Sequence, residues 1–341
     1  MNFKVRLNYR KFFLAKKGEL MRSLALSEEE IKRFNESVNS GYVRRVSDMI
    51  NRYRESFIML ARSQTRFDNI DFEECSYSTE DMVNICLDFF GQFDGELQQK
   101  LITILNNPEI KIEISQPQPN NRDNKSFCRS GDDGRALFIH PENNIILGLI
   151  VVCHEFAHML SQRMQENGKP KDDITIEVES LFIERVFVNY LIEKGIISQK
   201  VVENYNKTRT NSLLNDIEYC GYRNEVVNLA RGLNKEKLAE LEGKLANNKN
   251  GDCLLDILNS LAKNGYDFRE RYVVGEIVGR VLFERYLKDR QGTTEKFKNY
   301  LAHTCEFDLS ETLQNLLGQG LNDTYKEYMS ILDKGGEIEQ E

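Results

Sequence analysis

The sequence predicts a mainly α-helical (α+β) fold that contains one small β-sheet. All five prolines lie between Pro108 and Pro170, so both flanks of the 341-residue chain lack this helix breaker. Apolar residues in both flanks recur at about 3.6-residue spacing, which is typical of amphipathic helices. Between Ile110 and Ile114, by contrast, apolar and charged residues alternate as in a half-buried strand.

Residues 1–107 are predicted to form an N-terminal helical region. The sequence SEEE, which begins at Ser27, has the form of a capping box, and an apolar stripe follows it as far as Phe57. Ser78 or Thr79 is expected to cap a second helix, and a third is predicted over residues 96–105.

Residues 108–341 are predicted to form a second domain that opens with a small sheet over 108–141. The sheet should combine the strand at 110–114 with a β-hairpin that ends near His140. A helix over 145–165 follows, within a predicted helical segment 144–194. This helix is apolar nearly all round at its start, so it is expected to be buried.

The rest of the second domain is predicted to be helical. A helix is expected over residues 174–194, with Gly195 at its C-terminal end. The segment 199–333 should then form a C-terminal helical part. Its helices are predicted over 199–206, 211–231, 235–247, 252–264, 268–289, 294–304 and 309–333.

Charge and composition exclude several classes of partner. The net charge of −8 gives no broad basic surface for nucleic acid or anionic lipid. The longest apolar run, residues 145–153, is about half the ~20 residues that a membrane span requires. Seven cysteines without a CxxC pair favour free thiols in a reducing compartment. Since no signal-peptide core is found, a cytoplasmic location is expected, with signal-independent export as an alternative.

The segment His154–Glu155–Phe156–Ala157–His158 has the H-E-x-x-H pattern. On a helix, residues four apart point in similar directions, so both imidazoles can bind one metal ion with Glu155 beside it. The chain holds only four histidines, and roughly 0.004 chance occurrences of the pattern are expected. The alternative is a pair of core histidines with Glu155 as an ion-pair partner, which would bury three ionisable groups at a high cost.

Zinc requires a third protein ligand, and a carboxylate is the best candidate. The next histidine is His303, which excludes a third histidine at short spacing. Glu177 and Glu179 are about 200° apart on a helix, so at most one can face the metal. Glu177, Ser180 and Glu184 share one stripe of an apolar helix, which favours Glu177 as the ligand over an ordinary exposed glutamate.

These motifs resemble a known family. HEFAH is followed, nineteen residues after His158, by EVESLFIE, and this pair of motifs is similar to the core of the thimet oligopeptidase and oligoendopeptidase F family. Glu177, Ser180 and Glu184 match the family's E-x-x-S-x-x-x-E motif. The segment GYDFRERYVVG resembles its tyrosine-rich segment, although the family's preceding histidine is absent and this chain is shorter than typical members.

The resemblance implies a fold and a set of site residues. The fold would be a zincin-like catalytic core of gluzincin type, with a small β-sheet beside the H-E-x-x-H helix and helical lobes that form a groove. One Zn²⁺ per chain would be bound by His154, His158 and Glu177, with Ser180 and Glu184 behind these ligands. A tyrosine hydroxyl would stabilise the tetrahedral intermediate. Tyr272 is the best match and Tyr266 the second, and the alternative role of Tyr272 is that of a packed aromatic residue.

The expected activity is zinc-dependent hydrolysis of peptide bonds, with Glu155 as the general base. The partner would be a peptide or protein substrate, and the sequence makes no prediction of the oligomeric state. The strand 135–140 is expected to pair with an extended peptide, and Phe138 and His140 are candidate substrate contacts. A strand-end histidine is alternatively structural. Two other hypotheses are an effector-like protease specific for one folded protein and a zinc-stabilised binding protein without catalysis.

Overall fold

The computed structural model describes residues 26–39, 77–114, 127–131, 134–139, 146–162, 171, 173–246, 251–264 and 269–337. Within these ranges the chain is mainly helical, as predicted. The helices are α1 (Glu28–Asn39), α2 (Thr79–Phe93), α3 (Gly95–Leu105), α4 (Ile146–Leu160), α5 (Val178–Glu193), α6 (Gln199–Ala230), α7 (Lys235–Ala246), α8 (Gly251–Asn264), α9 (Arg269–Lys288), α10 (Arg290–Ala302), α11 (Leu309–Leu317) and α12 (Leu321–Glu337). The strands are β1 (Ile110–Ile114), β2 (Phe127–Gly131) and β3 (Gly134–Ile139), and a short 3₁₀ helix covers Asp173–Thr175.

Capping residues begin the N-terminal helices as the sequence predicts. The backbone N–H of Glu30 donates to Ser27 Oγ over 3.2 Å, and the carboxylate of Glu30 accepts from the Ser27 N–H over 2.7 Å. Of the two residues proposed to cap α2, Ser78 makes the capping box, together with Asp81. The predicted continuation of α1 to Phe57 lies outside the described residues.

The three strands form one sheet in the order β1-β3-β2. β3 is central: it pairs in parallel with β1 and antiparallel with β2, as Leu137 does with Ile112 and Cys128. The expectation that β3 accepts a peptide as an added strand is therefore wrong, because its backbone groups already bond to strands on both sides. The side chain of Leu137 is fully buried, and β3 packs against α4.

Two divisions between predicted helices differ from the structure, and the helix predicted from residue 174 begins only at Val178, as α5. The helices predicted over 199–206 and 211–231 are one continuous helix, α6. The segment Lys207–Thr210 contains neither glycine nor proline, so nothing interrupts the hydrogen-bond ladder. The single helix predicted over 309–333 is divided into α11 and α12, since Gly318 has a φ of 66° and ends α11 in the left-handed conformation.

The chain divides into two compact units. Unit 1 comprises residues 1–70 and 210–270, and its described core joins α1, α7, α8 and the end of α6 through buried aliphatic side chains and Phe34. Asn35 fastens α1 to the segment before α7, because its side chain accepts from the Leu233 N–H and donates to the Leu233 carbonyl.

Unit 2 comprises residues 71–209 and 271–341. At its centre α4 packs against α5, and α2 and α3 pack against α4. Residue 107, the predicted domain boundary, falls inside this unit, because the helices before it contact the same helix as the sheet after it. The predicted division into 1–107 and 108–341 therefore differs from the contact-based one. No helix in the described ranges is sufficiently long and apolar to cross a membrane.

Candidate metal centre

His154 and His158 lie one turn apart on α4. The apolar residues around them bury α4 against α5 and β3, and this packing fixes the helix face on which the two imidazoles lie. The Nε2 atoms of the two rings are 3.2 Å apart, and the rings are nearly perpendicular at 84°. The i, i+4 spacing therefore directs both Nε2 atoms to one point, as the sequence predicts.

Glu177 brings a carboxylate oxygen to the same point. Its Oε2 lies 3.5 Å from the Nε2 atom of each histidine. Glu177 is not inside a helix, as the predicted stripe assumed, but is the N-cap residue of α5. The Ser180 hydroxyl lies 3.2 Å from both the carbonyl oxygen and Oε2 of Glu177, so it can restrain this side chain.

The three ligand atoms fit a tetrahedral zinc ion. Zinc–nitrogen and zinc–oxygen bonds of ~2.0–2.2 Å at tetrahedral angles place neighbouring ligand atoms about 3.4 Å apart. The observed separations are 3.2, 3.5 and 3.5 Å. The side chains are 14%, 10% and 5% exposed for His154, His158 and Glu177, so the point on which they converge is largely shielded from bulk water.

The Nδ1 atom of each imidazole contacts a further carboxylate, a different one for each ring. Nδ1 of His154 lies 2.6 Å from Glu184 Oε1, and Nδ1 of His158 lies 3.3 Å from Glu179 Oε1. Because a carboxylate only accepts, each Nδ1 carries the proton, and the neutral ring then has its lone pair on Nε2. In that neutral form, two Nε2 lone pairs and a carboxylate oxygen at these distances repel one another unless a metal ion or a proton lies between them. The donor set therefore fits a metal ion better than a satisfied pair of core histidines.

Tyrosine hydroxyls in turn bind these two carboxylates. Tyr205 donates to Glu184 Oε2 over 2.9 Å. The Tyr300 hydroxyl lies 3.0 Å from Glu179 Oε2 and 2.9 Å from the Thr175 carbonyl oxygen. Each imidazole of the candidate metal centre thus contacts a carboxylate that in turn contacts a tyrosine hydroxyl from another helix.

Charges around the site keep two of its carboxyl groups ionised. Burial raises the pKa of the Glu177 carboxyl group, but the interactions with His158, His154 and Arg271 outweigh burial and lower this pKa to about 2. Burial likewise raises the pKa of Glu184, and Arg209 together with His154 outweighs this and lowers it to about 2. Both groups are therefore anionic at neutral pH, as a cation site requires.

Glu155 differs from these carboxylates. It is 5% exposed, and its Oε2 is buried without a hydrogen-bond partner among the described residues. Burial raises the pKa of its carboxyl group, and the charges of His154 and His158 offset part of this effect. A buried carboxylate oxygen with no donor is costly for folding, so its position beside the metal-facing histidines requires an explanation.

A buried ion network lies behind Glu184. Arg209 Nη1 is 3.9 Å from Glu184 Oε2, and Arg209 Nε is 3.4 Å from Glu276 Oε2. Glu276 also pairs with the buried guanidinium of Arg185. Arg209 of α6 therefore balances the charge of Glu184, and Glu276 of α9 in turn contacts Arg209.

The other predicted site residues lie on α9, on β3 or outside the described residues. Tyr272 is half-buried on α9, three residues before Gly275 and hence on the same side of that helix. Phe138 belongs to the central strand β3. His140 and Tyr266 lie outside the described residues.

Three residues of the site were missed in the sequence. Glu179 was not predicted as a site residue, because on a helix it cannot share a face with Glu177. In the structure its carboxylate nevertheless contacts Nδ1 of His158. Tyr205 and Tyr300 carry no motif, and Tyr300 is 121 residues from the carboxylate that it contacts. Only the position of Glu179 within EVES, beside a predicted ligand, could have indicated a role.

The sequence matches no protein-family model and no curated protein. Solved structures with a similar fold include a protein assigned as a peptidase from Chlamydophila abortus, with a TM-score of 0.58 and 13% identity over 89% of this chain. Another is a protein assigned as oligoendopeptidase F from Bacillus anthracis str. Ames, with a TM-score of 0.56 and 11% identity over 92% of this chain. The matched part is 57% of each of those chains. The chain therefore has an oligoendopeptidase-like helical fold and spans a little over half the length of these structures.

Proposed function

We propose that the protein is a zinc-dependent metallopeptidase that hydrolyses peptide bonds. The observation that carries this proposal is the convergence of His154 Nε2, His158 Nε2 and Glu177 Oε2 at 3.2–3.5 Å, next in sequence to Glu155, whose buried Oε2 has no hydrogen-bond partner among the described residues. The likeness of the fold to proteins assigned as peptidases supports the same reaction class.

His154, His158 and Glu177 would hold one Zn²⁺ ion. When bound, zinc supplies a Lewis acid that polarises a peptide carbonyl and makes water more acidic. The protein ligands occupy three positions, which is the ligand number of catalytic rather than structural zinc sites. Glu184 and Glu179 orient the imidazoles, and Ser180 restrains Glu177.

Glu155 would act as the general base. Its free oxygen can accept a proton from the attacking water and pass that proton to the leaving amine. A raised pKa suits this role, because a base that must later donate its proton works best when its pKa is near the working pH. A purely metal-binding protein would have no use for this carboxylate, which argues against the non-catalytic hypothesis.

Tyr272 is our candidate for stabilising the oxyanion. It lies one turn before Gly275, whose backbone packs directly against Glu177, so its side of α9 faces the start of α5. A hydroxyl donor in this role typically contributes about 3–4 kcal/mol to transition-state stabilisation. Tyr266 stays the second candidate on sequence grounds.

The substrate is proposed to be a peptide or an extended protein segment. Because the central strand β3 is paired on both sides, a peptide that adds to the described sheet would have to pair with β1 or β2. A protease specific for one folded protein is the alternative, and it would leave mixed peptides uncut.

The test combines metal analysis with mass-spectrometric mapping of cleavage in a mixed peptide library, for wild type and Glu155→Gln. We expect one zinc per chain in both proteins. Peptide cleavage should fall by about 10²- to 10⁴-fold in the variant, since the amide cannot accept a proton.

His158→Ala is the control for metal dependence, because it removes a ligand and should lose both zinc and cleavage. Full activity of Glu155→Gln would contradict the assigned base. Cleavage by chelator-treated wild type would contradict the metal-dependent reaction.

A further inference from the structure

Two glycines on one face of α9 allow it to contact the beginning of α5 closely. A Cβ atom on Gly275 would lie 2.8 Å from both Cβ and the carbonyl oxygen of Glu177. A Cβ atom on Gly279, one turn further along, would lie 2.9 Å from the backbone nitrogen of Phe182. Both separations are far shorter than ordinary carbon contacts of about 3.5–4.0 Å, so only glycine fits at either position.

The atoms against Gly275 belong to the carboxylate that completes the candidate metal centre. Glu177 is the N-cap residue of α5, but its side chain makes no capping hydrogen bond. Its carbonyl oxygen accepts a hydrogen bond from the Leu181 N–H over 3.1 Å, and no capping bond from its own side chain adds to this. The contact with the α9 backbone limits where Glu177 can lie, and the Ser180 hydroxyl restrains its carboxylate.

We propose that Gly275 is a positioning residue for the metal centre, which sets the distance between the Glu177 carboxylate and the two histidines by letting α9 contact the Glu177 backbone. This inference rests on the proposed metal binding by His154, His158 and Glu177. It assigns a role in ligand geometry to a residue without a side chain, on a helix that contributes none of the three ligand atoms.

The expected displacement exceeds what a metal site tolerates. A methyl group on Gly275 must separate from Glu177 by roughly 0.7 Å or more to reach an ordinary contact. Metal–ligand distances, by comparison, are set to within about 0.2 Å. Because the contacted atoms are backbone and Cβ atoms, a change of rotamer cannot relieve the overlap. The carboxylate should therefore shift relative to the histidines.

Gly279 provides a matched control. It lies on the same helix and has a comparably close backbone contact, but its neighbours are Leu181 and Phe182 rather than a ligand. Gly275→Ala and Gly279→Ala should therefore both disturb the packing of α9 on α5. Only the first should change the metal site directly.

The experiment measures Zn²⁺ affinity by competition with a chromophoric chelator, and the free energy of unfolding of the metal-free proteins. We expect Gly275→Ala to bind Zn²⁺ about 10- to 100-fold more weakly than wild type, and Gly279→Ala to bind within a few-fold of wild type at a similar loss of stability. Equal affinities of the two variants would overturn the proposal.

A double-mutant cycle separates positioning from general destabilisation. In a Glu177→Gln background the ligand is already impaired, so Gly275→Ala should weaken Zn²⁺ binding much less than it does in wild type. An undiminished effect would show that Gly275 does not act through Glu177. A Gly275→Ala variant that fails to fold, while Gly279→Ala folds, would also overturn the proposal. Wild type that binds no Zn²⁺ would instead refute the proposed function itself.

Discussion

The two imidazoles of the candidate metal centre are held in the same way by unrelated parts of the chain. Glu184 and Tyr205 back His154, whereas Glu179 and Tyr300 back His158. A hydrogen bond to Nδ1 fixes the ring orientation and leaves Nε2 as the acceptor. Residues that touch neither metal nor substrate should therefore affect how tightly the metal is bound.

Replacement of Tyr300 by phenylalanine tests this dependence. The variant loses the hydroxyl that binds Glu179 Oε2 but keeps the aromatic ring in its buried position. We expect Zn²⁺ affinity to fall by about 10-fold, because a less restrained Glu179 holds His158 less firmly. Chelator competition measures this change.

Tyr190→Phe is the matched control for that prediction. The Tyr190 hydroxyl also binds a carboxylate, that of Asp88, but neither residue contacts the histidines. Its loss should lower stability and leave zinc affinity unchanged. Equal zinc affinities for the Tyr300 and Tyr190 variants would show that the tyrosine behind Glu179 is merely structural.

The sequence predicted those site residues that local spacing connects. His154 and His158 are four apart on one helix, and Glu177, Ser180 and Glu184 follow within thirty residues of His154, so a periodic pattern relates them. Tyr300 could not be found in this way, because its contact with Glu179 depends on how α10 packs in the folded chain. Glu179 could not be predicted from the stripe that Glu177, Ser180 and Glu184 share, because it lies on another helix face and contacts a histidine rather than the metal position.

The ends of the helices were harder to predict from the sequence than the presence of the helices. Periodicity correctly located the helices near 252–264 and 268–289, which are α8 and α9. It did not show whether two adjacent apolar stripes belong to one helix. The break predicted between residues 206 and 211 does not exist within α6, whereas Gly318 produces a real break between α11 and α12.

The variant Gly318→Ala tests how much the left-handed conformation at this break contributes to stability. Gly318 has a φ of 66°, which costs an L-residue about 1–2 kcal/mol. We expect the free energy of unfolding to fall by about 1 kcal/mol, as measured by denaturant titration. Gly320→Ala is the control, because Gly320 lies in the same link with open space for a Cβ atom and without a positive φ. A comparable loss in both variants would contradict the assigned strain.

At the scale of the whole molecule, the periodic patterns gave the fold class but not the composition of the units. Unit 1 joins residues 1–70 to residues 210–270, and unit 2 joins the two remaining segments. Which segments form one unit depends on which apolar helix faces pack together. The same set of apolar stripes is compatible with many such arrangements. The sequence therefore predicted contiguous domains where contacts between distant segments define the units.

The division into units predicts in which helices removal of the metal should increase hydrogen exchange. All the candidate ligands, and the residues that hold them, belong to unit 2. Chelation should therefore increase hydrogen exchange in α4 and α5 while leaving α7 and α8 of unit 1 protected as before. At zinc concentrations 100-fold above Kd, the bound ion should stabilise unit 2 by about 2.7 kcal/mol.

Hydrogen-exchange mass spectrometry with and without chelator measures this difference. His158→Ala should show the chelated pattern whether or not zinc is present. Increased exchange throughout both units on chelation would contradict a stabilising effect confined to unit 2.

At Glu155, whose Oε2 has no hydrogen-bond partner in the part of the chain that the structure describes, stability and the proposed chemistry favour different side chains. A side chain chosen only for stability would be apolar or hydrogen-bonded there, since a desolvated anion weakens the native state. The fold instead retains the proposed general base in an environment that disfavours its charge, and the surrounding well-packed helices offset that penalty. Variants of this protein selected for heat resistance alone would therefore be expected to lose Glu155, and catalysis with it, before they lose the metal.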